Sequence, residues 1–184
     1  MARIPYPELA ALDDKVRARV EELPPLNILR LLSHAQANFL PFLAFGSSIL
    51  TAQELDGRLR ELAILRVAHL TGANYEWTQH VPIAIQCGAS EAEVAAIPAG
   101  AASPVFGDLE KKVLAFTDEL TQSVRVSDAT FQALAALLPP RQLVELVLAT
   151  SFYGLAARVM EVFQIELEPT AGTYSLESLQ PKKD

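Results

Sequence analysis

The stretch RLRELAILRVAHLTGANYEWTQHVPIAIQC, residues 58–87, predicts two consecutive helices joined by a tight turn. Helical signals begin near residue 51, where Thr51 and Glu54 have the spacing of a capping box, but Gly57 within this span also allows a later start nearer Arg58. Gly72 ends the first helix, because glycine readily adopts the left-handed backbone of a helix C-terminus. Asn74 is a residue type favoured at N-caps and opens the second helix, which runs to about residue 87. We therefore expect an antiparallel helical hairpin.

Three ionisable side chains of this hairpin are candidates for acid–base chemistry. Glu76 and His80 are four residues apart, so they share one helix face. A turn at Gly72 can lay Glu61 of the preceding helix near His80, which would bring two carboxylates and one imidazole together. Imidazole gives or takes a proton near neutral pH, and an adjacent carboxylate fixes its tautomer and raises its basicity.

Spacing alone leaves alternatives open for these groups. Glu76 and His80 could form an ordinary solvated pair, or all three groups could bind a metal. Burial would raise the pKa of the Glu76 carboxyl, whereas the N-terminus of its helix would lower that pKa. The sequence does not decide which effect is larger.

The remainder of the chain has helical periodicity and no alternating strand pattern. We predict a charged amphipathic helix over 8–22 and two apolar helical segments over 26–50, separated near Pro41 with a bend at Gly46. The fold class is thus all-α, a helical bundle in one domain over residues 1–184. Its expected parts are an N-terminal helical extension (1–50), a core (51–168) and a flexible tail (169–184). Further helices are predicted from a Ser90/Glu93 capping box, over 108–124, from Ser127 to Leu138 and over 141–164.

Composition limits the class of partner. The chain is 51% hydrophobic and 20% charged, which excludes global disorder and indicates burial of apolar surface between copies of the chain. The net charge is −7 and no run of basic residues offers the cationic face that nucleic acid requires. The N-terminus lacks a signal-peptide pattern, and the apolar stretch 146–157 is too short to span a bilayer. We expect a cytoplasmic protein with neither a membrane nor a nucleic-acid partner.

A family resemblance rests on the stretch RELAILRVAHLTGANYEWTQHVPIAIQCGASEAEV, residues 60–94, within which Arg60-Glu61, Tyr75-Glu76-Trp77, His80 and Gly88 are the most specific residues. The stretch resembles the core of the carboxymuconolactone decarboxylase family, which includes the AhpD-like alkylhydroperoxidases. The similarity extends more weakly to LVELVLATSFYGLAARVMEVFQIELEP, residues 143–169. It implies an AhpD-like orthogonal helical bundle that forms homo-oligomers, either dimers, trimers or hexamers.

The peroxidase branch of that family carries a glutamate, then a Cys-x-x-Cys pair, then a histidine four residues later. When Glu61 and His80 are matched to this pattern, the two cysteine positions hold Ala73 and Glu76. Cys87 is the only cysteine of the chain, and we predict that it is a small buried side chain. The resemblance therefore implies no peroxide reduction by a dithiol mechanism.

The decarboxylase branch needs no cysteine, and resemblance to it implies cofactor-free decarboxylation of a small unsaturated lactone acid or related conjugated carboxylate. By this analogy His80 is the general acid, and Glu61 and Glu76 orient it or handle a proton, with no metal. Two other hypotheses are a non-catalytic oligomeric binding protein on the same scaffold and a metal-dependent enzyme that uses the same cluster. The side chains expected to line the substrate pocket are Tyr75, Trp77 and Tyr153.

Overall fold

The computed structural model describes residues 2–175 and 177. It is 70% helical, and the part described contains nine α-helices and no strand, which confirms the predicted all-α class. Two short 3-10 segments, Leu9–Ala11 and Ile97–Ala102, accompany them. The helices are α1 (Asp14–Glu22), α2 (Asn27–Leu32), α3 (Gln36–Thr51), α4 (Gly57–Thr71), α5 (Asn74–Gln86), α6 (Glu91–Ala96), α7 (Asp108–Ser123), α8 (Asp128–Ala135) and α9 (Pro140–Phe163).

Helix α4 lies at the centre of the bundle and packs against α5, α7 and α9. Every residue from Leu59 to Ala68 is buried, and different faces of the helix belong to three separate apolar clusters. A helix that is apolar on all sides is stable only inside a fold. Its polar side chains must then find partners within the protein, as Arg66 does by donating to both carboxylate oxygens of Asp118, at 2.6 and 2.9 Å.

Helix α4 begins at Gly57, close to the later of the two predicted starts. The Asp56 side chain caps the helix by accepting from the backbone N–H of Leu59 at 3.0 Å. The predicted capping box of Thr51 and Glu54 is wrong, because Thr51 is the last residue of α3 and its hydroxyl donates back to a carbonyl of that helix. Glu54 instead accepts from Arg141 at 2.6 Å.

The turn between α4 and α5 is the predicted one. Gly72 has a left-handed φ of 71°, which ends α4 and reverses the chain. The predicted N-cap at Asn74 is wrong, since Asn74 is already the first residue of α5 and Ala73 precedes it without a side-chain cap. Gly88 follows α5 with a φ of 96°, as expected of a residue just beyond a helix end.

The N-terminal helices are divided differently from the prediction. Helix α1 starts only at Asp14, and the break in the 26–50 region lies at residues 33–35 rather than near Pro41. Pro41 is exposed within α3, so the carbonyl that loses its helical partner can be solvated. Gly46 does not mark a bend. A Cβ at that position would lie 2.9 Å from Cζ of Phe152, so glycine permits the close approach of α3 to α9.

The chain beyond α9 folds back over α5. The Glu168 carboxylate accepts from the Tyr75 hydroxyl at 2.9 Å and from the Gln79 amide at 3.0 Å. The backbone N–H of Gly172 in turn donates to the Gln79 amide oxygen at 3.2 Å. The described part of the predicted flexible tail is therefore hydrogen-bonded to the bundle, whereas Leu176 and residues 178–184 lie outside the described residues.

Helix α9 is long and apolar enough, by length and composition, to cross a membrane, which the shorter stretch predicted from sequence was not. However, 56% of its apolar window is buried inside the bundle, as is typical of the core helix of a soluble protein. Its remaining face carries four exposed apolar side chains, which we call the α9 outer row. They are Val144, Leu148, Leu155 and Val162, with exposed fractions of 58%, 40%, 48% and 56%.

Candidate active site

The α4–α5 hairpin brings Glu61 and His80 into direct contact. His80 Nδ1 lies 2.8 Å from Glu61 Oε2, although the two residues are 19 positions apart. An ionised carboxylate only accepts hydrogen bonds, so this contact selects the tautomer or charge state in which Nδ1 carries the proton. The other ring nitrogen, Nε2, is then the one available to a bound molecule.

Glu61 is fully buried, with no exposed side-chain surface. Its second oxygen, Oε1, accepts from Nε of Arg60 at 3.0 Å. Arg60 is itself only 4% exposed and also donates from Nη2 to Sγ of Cys87 at 3.6 Å. Both carboxylate oxygens are thus occupied by donors, which is what makes a buried charge tolerable and holds the carboxylate against the imidazole.

Glu76 lies one turn before His80 on α5 and is 2% exposed. Neither of its carboxyl oxygens has a hydrogen-bond partner among the described residues. Burial, followed by the nearby charge of Glu61, raises the pKa of the Glu76 carboxyl well above its ordinary value. The rise in this pKa caused by desolvation is therefore larger than the fall caused by the N-terminus of α5. The sequence did not decide between these two effects.

The site borders a cavity of about 160 Å³ between α2, α3, α5 and α9. Glu76 and His80 line it, and the Tyr153 ring packs edge-on against His80 with ring centroids 4.6 Å apart. Burial, followed by the charges of Glu61 and Glu76, raises the pKa of the Tyr153 hydroxyl. The walls are mainly apolar and include Phe42, Leu43, Leu50, Phe152, Ala156 and Met160.

Two of the three side chains predicted to line the pocket do so. Tyr75 and Tyr153 both border the cavity. Trp77 lies elsewhere, half-buried against the apolar cluster that contains Leu62 and Leu65 of α4. One residue along a helix is a rotation of about 100°, so Tyr75 and Trp77 lie on opposite sides of Glu76, and the packing of α5 decides which side meets the cavity.

The other two histidines and the single cysteine of the chain take no part in this cluster. His34 and His69 are both exposed, and His34 is bonded through Nε2 to the Pro5 carbonyl at 2.8 Å. Cys87 is half-buried rather than buried, and burial raises the pKa of its thiol. Within the described residues, no group of three or more His, Cys, Asp or Glu side chains is arranged to hold a metal ion.

Sequence reasoning missed several residues of the cavity. Gln79 lines it and is fixed by the returning C-terminal segment. Its position three residues after Glu76, on the same helix face, was a signal that could have identified it. Gly46 and Met160 also line the cavity, but only the packing of α3 against α9 brings them there.

Part of the chain matches a known family model, and the fold is similar to solved structures. Residues 39–119 match the model of the Carboxymuconolactone decarboxylase family. An AhpD-core, peroxidase-related protein of unknown role from Ralstonia eutropha covers 98% of both chains with a TM-score of 0.81 at 20% identity. A peroxidase-related protein from Silicibacter covers 92% of both chains with a TM-score of 0.77 at 15% identity. A protein of unknown function from Agrobacterium tumefaciens covers 73% of this chain and 95% of its own, with a TM-score of 0.68 at 21% identity.

No curated protein matches the chain in sequence. At these identities the solved structures establish the fold alone, which is the AhpD-like all-α bundle expected from the sequence. The chain therefore has an AhpD-like fold, and residues 39–119 of it match the carboxymuconolactone decarboxylase family.

Proposed function

We propose that the protein is a cofactor-free acid–base enzyme in which His80, oriented by Glu61, transfers a proton to carbon. The reaction proposed is decarboxylation of a small unsaturated lactone acid or a related conjugated carboxylate. The observation that carries this proposal is the 2.8 Å contact between His80 Nδ1 and Glu61 Oε2 at the wall of a largely apolar cavity. A buried carboxylate on one imidazole nitrogen leaves the other nitrogen as a positioned acid or base.

The reaction balances with these groups alone. The bond between the substrate and its carboxylate breaks, and its electron pair moves into the conjugated carbonyl system as CO2 leaves. The doubly protonated imidazole of His80 then delivers its Nε2 proton to the carbon that lost CO2. Glu61 stabilises the imidazolium through the Nδ1 hydrogen bond, and solvent restores the proton.

The apolar walls support this choice of reaction. A carboxylate that enters such a cavity loses strong hydration, and departure of neutral CO2 spreads its charge over the conjugated carbonyl system until His80 protonates the carbon. Dithiol chemistry has no support here, because Ala73 and Glu76 occupy the cysteine positions of the peroxidase branch. Cys87 contacts Arg60 and is not one of the residues that line the cavity.

The test is release of CO2 from carboxymuconolactone and from a panel of related unsaturated lactone acids. His80→Gln should lower kcat by about 10²–10⁴-fold, the usual contribution of a general acid. His69→Gln is the matched control, because His69 is an exposed histidine on α4 and should leave kcat unchanged. Wild-type turnover by His80→Gln would overturn the role of His80.

Two other outcomes would replace the proposal. Binding of the lactone acids with no turnover would identify a non-catalytic binding protein. Stoichiometric metal in protein purified without chelator, with turnover lost on its removal, would identify a metal-dependent enzyme. The second outcome finds no support in the geometry of Glu61, whose two oxygens are already held by Arg60 and His80.

A further inference from the structure

Glu76 is a group of the site that this mechanism does not use. Its side chain borders the cavity, it is 2% exposed, and both its oxygens lack a partner in the part of the chain that is described. A buried polar group without a hydrogen-bond partner destabilises the fold. The Glu76 carboxyl is therefore able to hydrogen-bond a ligand in the cavity.

The surroundings of Glu76 indicate which ligand group fits. The influences that raise the pKa of its carboxyl are desolvation and the like charge of Glu61. Both favour the neutral acid, which donates one O–H and accepts through its carbonyl oxygen. A neutral carbonyl oxygen can accept a hydrogen bond from that O–H.

A carboxylate would be poorly matched at this end of the cavity. Arg60 is committed to Glu61 at 3.0 Å. Of the described residues that line the cavity only Arg19 carries a permanent positive charge, and it is paired with Glu22 at 2.9 Å. A second anion beside Glu61 would be both desolvated and repelled. The part of the cavity beside Glu76 therefore suits an uncharged group, and the carboxylate of a lactone acid would lie away from it.

The size of the cavity limits the substrate to about one ring. Its volume is about 160 Å³, close to that of an apolar cavity that holds benzene, roughly 150 Å³. Apolar walls and a polar corner formed by Glu76 and His80 match a cyclic ketone. The carbonyl oxygen would lie against Glu76 and the adjacent carbon against His80.

We propose that this site also isomerises small, neutral β,γ-unsaturated ketones to their conjugated forms, with Glu76 donating a hydrogen bond to the carbonyl oxygen while His80 carries the proton. The inference rests on the proposed function, because it uses the same His80–Glu61 pair. It adds an activity on substrates that have no carboxylate to lose.

The chemistry is balanced without any further reactant. Nε2 of His80 takes a proton from the α-carbon, and the electron pair of that C–H bond forms a double bond to the carbonyl carbon. The carbonyl π pair moves onto oxygen, where the Glu76 hydrogen bond stabilises it. The pair on oxygen then re-forms the carbonyl and the enol double-bond pair moves to the α,β position. The β,γ pair forms the new bond between the γ-carbon and the same proton, which His80 returns. Because Nδ1 donates to Glu61, the neutral imidazole presents its lone pair at Nε2, as this step requires.

The experiment uses cyclohex-3-en-1-one as the probe and follows formation of cyclohex-2-en-1-one by ultraviolet absorbance and by proton NMR. Wild type should accelerate the conversion above buffer. Glu76→Leu should lower kcat by about 10²–10³-fold, the usual loss when one donor to an oxyanion is removed. Glu76→Gln should retain part of the rate, because the amide still donates. Glu91→Leu is the matched control, since Glu91 is exposed on α6 and should leave the rate unchanged.

The outcomes separate this inference from the proposed function. If wild type releases CO2 from lactone acids but does not isomerise the ketone, the inference fails and the proposed function stands. If His80→Gln abolishes isomerisation while Glu76→Leu leaves it unchanged, the role of Glu76 is wrong. Isomerisation without decarboxylation would support the inference and overturn the proposed reaction, and loss of both activities in wild type would overturn both. Circular dichroism of each variant checks that it is folded.

Discussion

Replacing Glu61 with glutamine should destabilise the protein strongly, because it leaves a buried guanidinium without its counter-charge. Arg60 is 4% exposed, and it would be left with a neutral amide oxygen and the weakly accepting sulfur of Cys87. Breaking a buried ion pair by removing one partner costs about 3–5 kcal/mol. For a chain of this size 1 kcal/mol corresponds to roughly 2–4 °C in Tm, so Glu61→Gln should lower Tm by about 6–20 °C.

The assay is thermal unfolding of a double-mutant cycle followed by circular dichroism. Arg60→Met should also destabilise, because it leaves the buried Glu61 carboxylate short of one donor. The double variant should lose less stability than the sum of the two single variants, by about 0.5–3 kcal/mol, since the two residues are in contact. Glu22→Gln is the control. It removes the same charge from the surface pair with Arg19, where the effect should stay below about 1 kcal/mol.

Two results would refute this reasoning. The first is a Tm for Glu61→Gln within about 2 °C of wild type, which would mean that the pair contributes little to the free energy of unfolding. The second is strict additivity in the cycle, which would mean that the 3.0 Å contact between Arg60 and Glu61 does not couple them.

Three further predictions concern other parts of the molecule. Burial raises the pKa of the Glu76 carboxyl. The free energy of unfolding of wild type should therefore fall as the pH rises from the ordinary glutamate pKa of about 4.3 towards the raised pKa of Glu76. Glu76→Gln should not show this loss. The Tm advantage of that variant should grow from about pH 4 to about pH 7, and a constant difference would contradict it. We expect the α9 outer row to be covered by a second copy of the chain. Leu155→Glu should therefore lower the mass measured by sedimentation. Leu137→Glu, which changes an exposed leucine outside that row, should leave the mass unchanged. Gly46→Ala should cost about 1–3 kcal/mol in urea unfolding, because the added methyl group would lie 2.9 Å from the Phe152 ring, and a stability equal to wild type would show that α3 can move aside.

The local geometry of the site was predictable because it depends on short-range rules. The four-residue spacing of Glu76 and His80 places them on one face whatever surrounds the helix. Gly72 predicts the reversal that returns α5 along α4, and its φ of 71° confirms that role. From those two facts the approach of Glu61 to His80 follows, and the 2.8 Å contact is the outcome.

Features that depend on distant parts of the chain were not predictable in this way. The exclusion of Trp77 from the cavity depends on which face of α5 meets α4 and which meets α9, and both faces carry aromatic residues. The bond between Tyr75 and Glu168 joins residues 93 positions apart, and no local pattern marks it. The break before α3 was misplaced because Pro41 is exposed, so the carbonyl that loses its helical partner can be solvated and the helix continues through the proline.

The position of α9 has a consequence for the order in which the protein matures on the ribosome. His80 is made 73 residues before Tyr153, so at roughly 5–20 residues per second the α4–α5 hairpin waits about 4–15 s for the helix that covers it. During that interval α4 is only partly buried, although it carries Glu61 and apolar residues on every side. The nascent chain is therefore most open to aggregation, and most dependent on chaperones, in the seconds before its final helix emerges.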